Sequence, residues 1–182
     1  VCEERYPGLE PDGNIFWYEQ GDDQSTDWKR HRIVTQYSIN NLDIQDMDND
    51  GDMDIITCEH KGSDLELQMW ANDGKGDFSK IILDKGKESH LGTQVADLDN
   101  DGDYDIASIG WDNYKYVHLW RNDEKDQDSR KWRLVSSTKG EIEVPNTGNQ
   151  QTASLVLDVD KDGAMDFVIS ERTAAPSLTL FK

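Results

Sequence analysis

Asp97-Leu98-Asp99-Asn100-Asp101-Gly102-Asp103-Tyr104-Asp105 is the stretch that decides how this chain folds. It has two counterparts, Asp46-Met47-Asp48-Asn49-Asp50-Gly51-Asp52-Met53-Asp54 and Asp158-Val159-Asp160-Lys161-Asp162-Gly163-Ala164-Met165-Asp166. All three carry Asp at positions 1, 3, 5 and 9 and Gly at position 6. Carboxylates packed this tightly repel one another unless a cation holds them. The pattern therefore asks for an ion.

Calcium answers the pattern best. It takes about six to eight oxygens from carboxylates, backbone carbonyls and water. Positions 1, 3 and 5 turn carboxylates to one side, and Gly at position 6 lets the backbone wrap sharply round the ion. Three Ca²⁺ sites are expected. The first uses Asp46, Asp48, Asp50, Asp52 and Asp54, and the second Asp97, Asp99, Asp101, Asp103 and Asp105. The third uses Asp158, Asp160, Asp162, Ala164 and Asp166. Position 7 is expected to offer its backbone carbonyl, because Ala164 has no side-chain oxygen, and Asp at position 9 to close the shell. An EF-hand is excluded: position 12 is Thr57, Ser108 or Ile169 where that loop needs Glu, and the flanks are β-branched and aromatic. Magnesium keeps more of its waters and suits an all-protein cage less well.

The rest of the composition is that of an acidic, polar domain. The 182 residues hold 38 acidic and 19 basic side chains, a formal charge of −19, with a pI near 4.4 and a mean hydropathy of −0.85. Such a chain offers no basic face for phosphates, which excludes nucleic acid and anionic membrane surfaces as partners. No apolar run approaches the length of about 18 residues that a spanning helix needs. Val1 reads as a processed or trimmed end.

The acidic runs recur at about 50 and about 60 residues, which points to a repeat architecture. An aromatic travels with each run: Ile15-Phe16-Trp17, Gln68-Met69-Trp70, His118-Leu119-Trp120 and Thr179-Leu180-Phe181 align. Each repeat reads as four strands. Strand A precedes the loop, and strand B follows it (Asp54-Ile55-Ile56-Thr57, for example). Strand C alternates toward the aromatic, and strand D comes after a turn such as Asn72-Asp73-Gly74. No window has the apolar period of a helix. The expected fold is all-β, a β-propeller with blades of four antiparallel strands. The blades fall at about 1–36 (partial), 37–84, 85–137 and 138–182 (partial).

Asp-x-Asp-x-Asp-Gly-x-x-Asp followed by an apolar strand resembles the FG-GAP/VCBS repeats of integrin α-subunit propellers and of many secreted bacterial proteins. Ser89-His90-Leu91-Gly92 and His118-Leu119-Trp120-Arg121-Asn122-Asp123 are similar to that family's bacterial branch. The resemblance implies calcium between strands A and B, usually in a ring of seven blades. It does not fix a function, since members serve adhesion, glycan binding and enzyme scaffolding.

Val1-Cys2-Glu3-Glu4 lines up with Thr57-Cys58-Glu59-His60, which places the first residue inside a strand B. The chain ends just past a strand C aromatic. It reads as an arc of a larger propeller, whose remaining blades or neighbouring copies cover the open edges. Trp17, Trp70 and Trp120 are expected to pack blade against blade. Cys58 is expected to be a buried thiol, with a Cys2–Cys58 bridge as the alternative.

Ligand contact is expected on the face opposite the calcium loops. The residue just past strand B changes from His60 to Trp111 to Arg172 while the scaffold repeats, and His90 and Tyr114 join that face. The functional expectation is a calcium-stabilised binding or scaffold module of a secreted or surface protein, with a glycan or extracellular protein as ligand. One alternative is a polysaccharide lyase or sugar dehydratase working by β-elimination. Another is a self-assembling fibre or surface-layer subunit. Ser-His-Asp spacing, a phosphate-cradling glycine loop and a Cys/His zinc pattern are all missing, so no catalytic residue is assigned.

Overall fold

The computed structural model describes residues 1–3, 12–22, 27–60, 62–85, 93–109, 117–122, 132–134, 151–172, 175 and 177–181. These residues are all-β, with no helix among them. A hairpin joins β1 (Gly13–Glu19) to β2 (Lys29–Gln36). A four-stranded meander follows: β3 (Ile39–Gln45), β4 (Asp54–Glu59), β5 (Leu67–Asn72) and β6 (Phe78–Asp84). The next is β7 (Gln94–Ala96), β8 (Asp105–Ile109), β9 (Val117–Asn122) and β10 (Trp132–Leu134). The last sheet has β11 (Gln151–Leu157), β12 (Asp166–Glu171) and β13 (Leu178–Phe181). Strands pair in chain order, and every pairing is antiparallel. These are β-propeller-like repeats.

The pleat explains how neighbouring sheets hold together. Successive side chains of a strand point to opposite faces, so a strand between two sheets must be apolar on both. All of β4 is buried. Its Ile55 turns back toward Ile15 and Trp70, while Ile56 and Cys58 turn forward with Met69 to meet Ile106 and Trp120 of the next sheet. Ile109 and Ile169 repeat the contact between the third and fourth sheets. Polar links fix the spacing: the Val95 amide donates to Asp43 Oδ2 at 2.8 Å, and Asn41 Nδ2 donates to the Thr93 carbonyl at 2.9 Å. Both tie β3 to β7.

Trp70 and Trp120 therefore pack sheet on sheet, as expected. Trp17 does not occupy the same place. Cys2 bridges to Ile15 as Cys58 does to Leu67, and the Glu3 amide donates to the Asn14 carbonyl as that of Glu59 does to Glu66. Ile15 is thus the structural counterpart of Leu67, Trp17 of Met69, and Tyr18 of Trp70. The sequence alignment is one residue out, because three aromatics, Phe16, Trp17 and Tyr18, stand in a row and only pleat parity separates neighbours. Trp17 faces the following sheet and stacks on His31, with ring centroids 4.1 Å apart and planes 8° from parallel. Neither cysteine is in a disulfide. Cys58 is fully buried, which pushes its thiol pKa up to about 12.

Candidate metal centres

Each Asp-rich run closes the connection between the first two strands of a sheet: β3 to β4, β7 to β8, and β11 to β12. The three loops are built by the same hydrogen bonds. In the first, Asp46 accepts the amides of Asp50 (3.1 Å) and Gly51 (3.0 Å), and Asp50 accepts that of Asp52 (2.9 Å). In the second, Asp97 accepts from Asp101 (3.2 Å) and Gly102 (3.1 Å), and Asp101 from Asp103 (3.1 Å). In the third, Asp158 accepts from Asp162 (3.1 Å) and Gly163 (3.0 Å), and Asp162 from Ala164 (2.9 Å).

The backbone repeats as closely. Position 6 glycines have φ of 96°, 96° and 93°, and position 4 residues Asn49, Asn100 and Lys161 have φ of 53°, 59° and 61°. A Cβ added at Gly51, Gly102 or Gly163 would meet nothing within 4 Å. Glycine is needed there for its left-handed backbone and not for space.

Carboxylate oxygens converge in every loop. Asp46, Asp48 and Asp50 each bring one oxygen within 4.8 Å of the others, as do Asp97, Asp99 and Asp101. In the third loop the converging set is Asp158, Asp160 and Asp166. Hard carboxylate oxygens at this density suit a hard divalent cation. The donor chemistry fits.

Position 9 also does something the sequence did not reveal. Asp54 accepts the Met47 amide on Oδ2 and the Asn72 amide on Oδ1, both at 2.9 Å. Asp105 does the same for Leu98 and Asn122, also at 2.9 Å, and Asp166 accepts from Val159. One buried carboxylate thus staples the loop to the end of the third strand. Burial raises the pKa of Asp54 and Asp105 above the ordinary carboxylate value, outweighing the amides that lower it. At Asp50 the Asp52 amide lowers the pKa, but loss of water and repulsion from Asp48 leave it raised. A cation would relieve each of these strains.

Residues 97–169 match the family model for an FG-GAP-like repeat. This stretch is an FG-GAP-like repeat. The first loop lies outside the matched FG-GAP-like stretch, yet it repeats the hydrogen bonds of the two loops within it. No curated protein and no solved structure matches the chain.

Position 7 carboxylates stand apart from the converging oxygens. Asp103 Oδ1 accepts the Asn49 side-chain amide at 3.0 Å. Asp52 instead lines a cleft of about 470 Å³ with Trp17, Met53, Asn72 and Lys75, between the β1–β2 hairpin and the first loop. Arg121, which the sequence reading passed over, reaches from β9 into the second loop. Its guanidinium pairs with Asp99 and lies 3.7 Å from Asp101 Oδ2. The signal was a base directly after the strand C aromatic, where the first full sheet has Ala71.

Of the other expected site residues, His60 and Arg172 lie beyond the strand ends opposite the loops. His60 follows β4, is buried, and donates its amide to the Ser38 carbonyl at 2.9 Å. Arg172 follows β12 and is exposed. His90, Trp111 and Tyr114 lie outside the described residues.

Proposed function

We propose that this chain is a calcium-stabilised, propeller-type binding or scaffold module of a secreted or surface protein. The observation that carries the reading is the threefold loop: one hydrogen-bond set, one backbone, and three converging carboxylates each time. Asp46, Asp48 and Asp50 would hold the first ion, Asp97, Asp99 and Asp101 the second, and Asp158, Asp160 and Asp166 the third. Carbonyls at position 7 and carboxylates at position 9 would complete the shells. Loops of this chemistry fill where calcium is abundant, as it is outside cells. The described residues include no helix long and apolar enough to cross a membrane.

A glycan or extracellular protein would bind at the opposite ends of the strands, near His60 and Arg172. The outer face of the fourth sheet exposes Leu155, Leu157, Val159, Leu178 and Leu180. Met47, Leu67 and Met69, the counterparts of Val159, Leu178 and Leu180, are buried against a following sheet. Further propeller sheets or a neighbouring copy would cover this face in the same manner.

Melting with and without a chelator tests the calcium reading. Ligand that binds only the folded state raises its stability, so the chelator should lower the midpoint. An unmoved midpoint contradicts the reading.

A further inference from the structure

Position 7 of the Asp-rich loops is used in two ways. In the second loop the Asp103 side chain accepts from Asn49 of the preceding loop, at 3.0 Å. In the first, Asp52 lines a cleft of about 470 Å³, which Trp17 and Glu19 line from the hairpin and Lys75 from the β5–β6 turn. That volume falls within the range of small-molecule sites, about 300–1,000 Å³. The walls are held in place. Trp17 is stacked on His31, and His31 Nε2 donates to Glu19 Oε2 at 2.9 Å. That hydrogen bond lowers the Glu19 pKa, so the carboxyl is charged at neutral pH. On the other side, the turn carries glycine at both places where a side chain would intrude. A Cβ at Gly74 would collide with the Asp52 carboxylate, and one at Gly76 would lie 2.7 Å from Trp17 Cζ2. Ile55 and Phe78 add apolar lining.

We propose that this cleft is a saccharide site, in which one neutral pyranose packs on Trp17 and donates hydroxyls to Asp52 and Glu19. The inference rests on the binding-module reading above, but it places a ligand at the loop ends and not near His60 and Arg172. The lining decides the ligand class. A purely apolar ligand would strip water from two carboxylates and the Lys75 ammonium without replacing it, which is costly. An anionic ligand would meet Asp52 and Glu19 within a chain of charge −19. A small metal cation is drawn instead to the denser carboxylates of the neighbouring loop. A neutral sugar offers what the cleft can use: an apolar C–H face for the indole, hydroxyl protons for the carboxylates and hydroxyl oxygens for Lys75. Hydrogen bonds to ionised groups are about twice as strong as neutral ones.

The test uses the whole chain with calcium present. The methyl glycosides of glucose, galactose and mannose, and the matching uronates, are titrated one at a time to about 50 mM, enough to detect millimolar sites. Spectra of ¹⁵N–¹H pairs follow the Gly74, Lys75 and Gly76 amides and the Trp17 indole N–H. At least one methyl glycoside should saturate these signals, and its uronate should bind about tenfold more weakly. Asp52→Asn should weaken the methyl glycoside about tenfold while calcium stoichiometry stays at the wild-type value. Trp17→Leu removes the ring from the other wall, away from the loop, and should weaken it to a similar degree. No saturable shift with any methyl glycoside overturns the proposal. So does a uronate that binds more tightly than its methyl glycoside, or an affinity untouched by both variants. Shifts centred on His60 and Arg172 overturn the cleft assignment and leave the binding-module reading standing. If chelator leaves the melting midpoint unmoved, the calcium reading fails while the saccharide titration still decides the cleft.

Discussion

Asn49 Nδ2 donates to Asp103 Oδ1 at 3.0 Å, so position 4 of the first loop is bonded to position 7 of the second. The link recurs one repeat later, where Asn100 Nδ2 donates to the Gly163 carbonyl at 3.1 Å. The acceptor moves to the backbone because position 7 of the third loop is Ala164. Asn122 adds a further strut by donating to the Met47 carbonyl at 3.2 Å. The loops are thus joined side to side, and the spacing of neighbouring sheets is set at their Asp-rich loop ends as well as in the core.

Asn49→Gly should cost about 1 kcal/mol of stability by removing this link. Glycine tolerates the positive φ of position 4, so the loss would report the hydrogen bond and not backbone strain. In a double-mutant cycle with Asp103→Ala, the two changes should be non-additive. Thermal melting of the four proteins checks this, and simple additivity would show the link to be passive.

Gly51→Ala has nothing to clash with, yet φ of 96° is strained for any residue with a Cβ. A loss of about 1–3 kcal/mol is expected. The same turn presents Asp46 and Asp50, so calcium affinity at that loop should fall as well. Gly62→Ala offers a contrasting control: its added Cβ would meet Glu59 Oε2 at 2.7 Å, a steric problem away from the metal loops. It should lower the midpoint while leaving calcium stoichiometry intact.

Asp50→Ala should abolish binding at the first loop, whereas Asp52→Ala should leave it largely in place. Asp50 is one of the converging carboxylates. Asp52 turns its side chain to the cleft beside Trp17, and the third loop manages with Ala164 at that position. Calcium stoichiometry of the two variants by calorimetry separates the roles. Equal loss in both would refute the assignment of position 7.

Much of this arrangement was legible in the sequence because the three Asp-rich loops repeat the same residue types at the same spacing. The flanking β-branched runs also left strands as the only regular structure. The functions of position 9 and Arg121 were less visible, since both depend on which strand end lies beside the loop. Asp54 meets Asn72, eighteen residues on, and Arg121 meets Asp99 across its own sheet. The slip at Trp17 has another origin. Pleat parity reverses with each residue, and the aromatic run Phe16-Trp17-Tyr18 carries no mark of which members face the next sheet.

Glu66 provides a pH-dependent check away from the metal loops. Burial raises its pKa, but hydrogen bonds from Lys85, Lys80 and Gln68 outweigh this and hold it at about 2. Its folded-state pKa lies below the unfolded value of about 4.5, so the stabilisation is complete above that value. It is lost as pH falls toward about 2. The melting difference between wild type and Glu66→Gln should therefore be largest near neutral pH and narrow below about pH 4.5. A difference constant from neutral to acid would mean that the Lys80 and Lys85 pairs contribute nothing.

The most direct measurement of the central claim is the number of calcium ions carried by each folded chain. Native mass spectrometry of protein exchanged into a calcium-containing volatile buffer counts them without assuming a binding model. Three ions per chain are predicted, with one removed by Asp50→Ala and one by Asp158→Ala. A folded chain that carries no calcium, and whose mass is unchanged by chelator, would contradict the account.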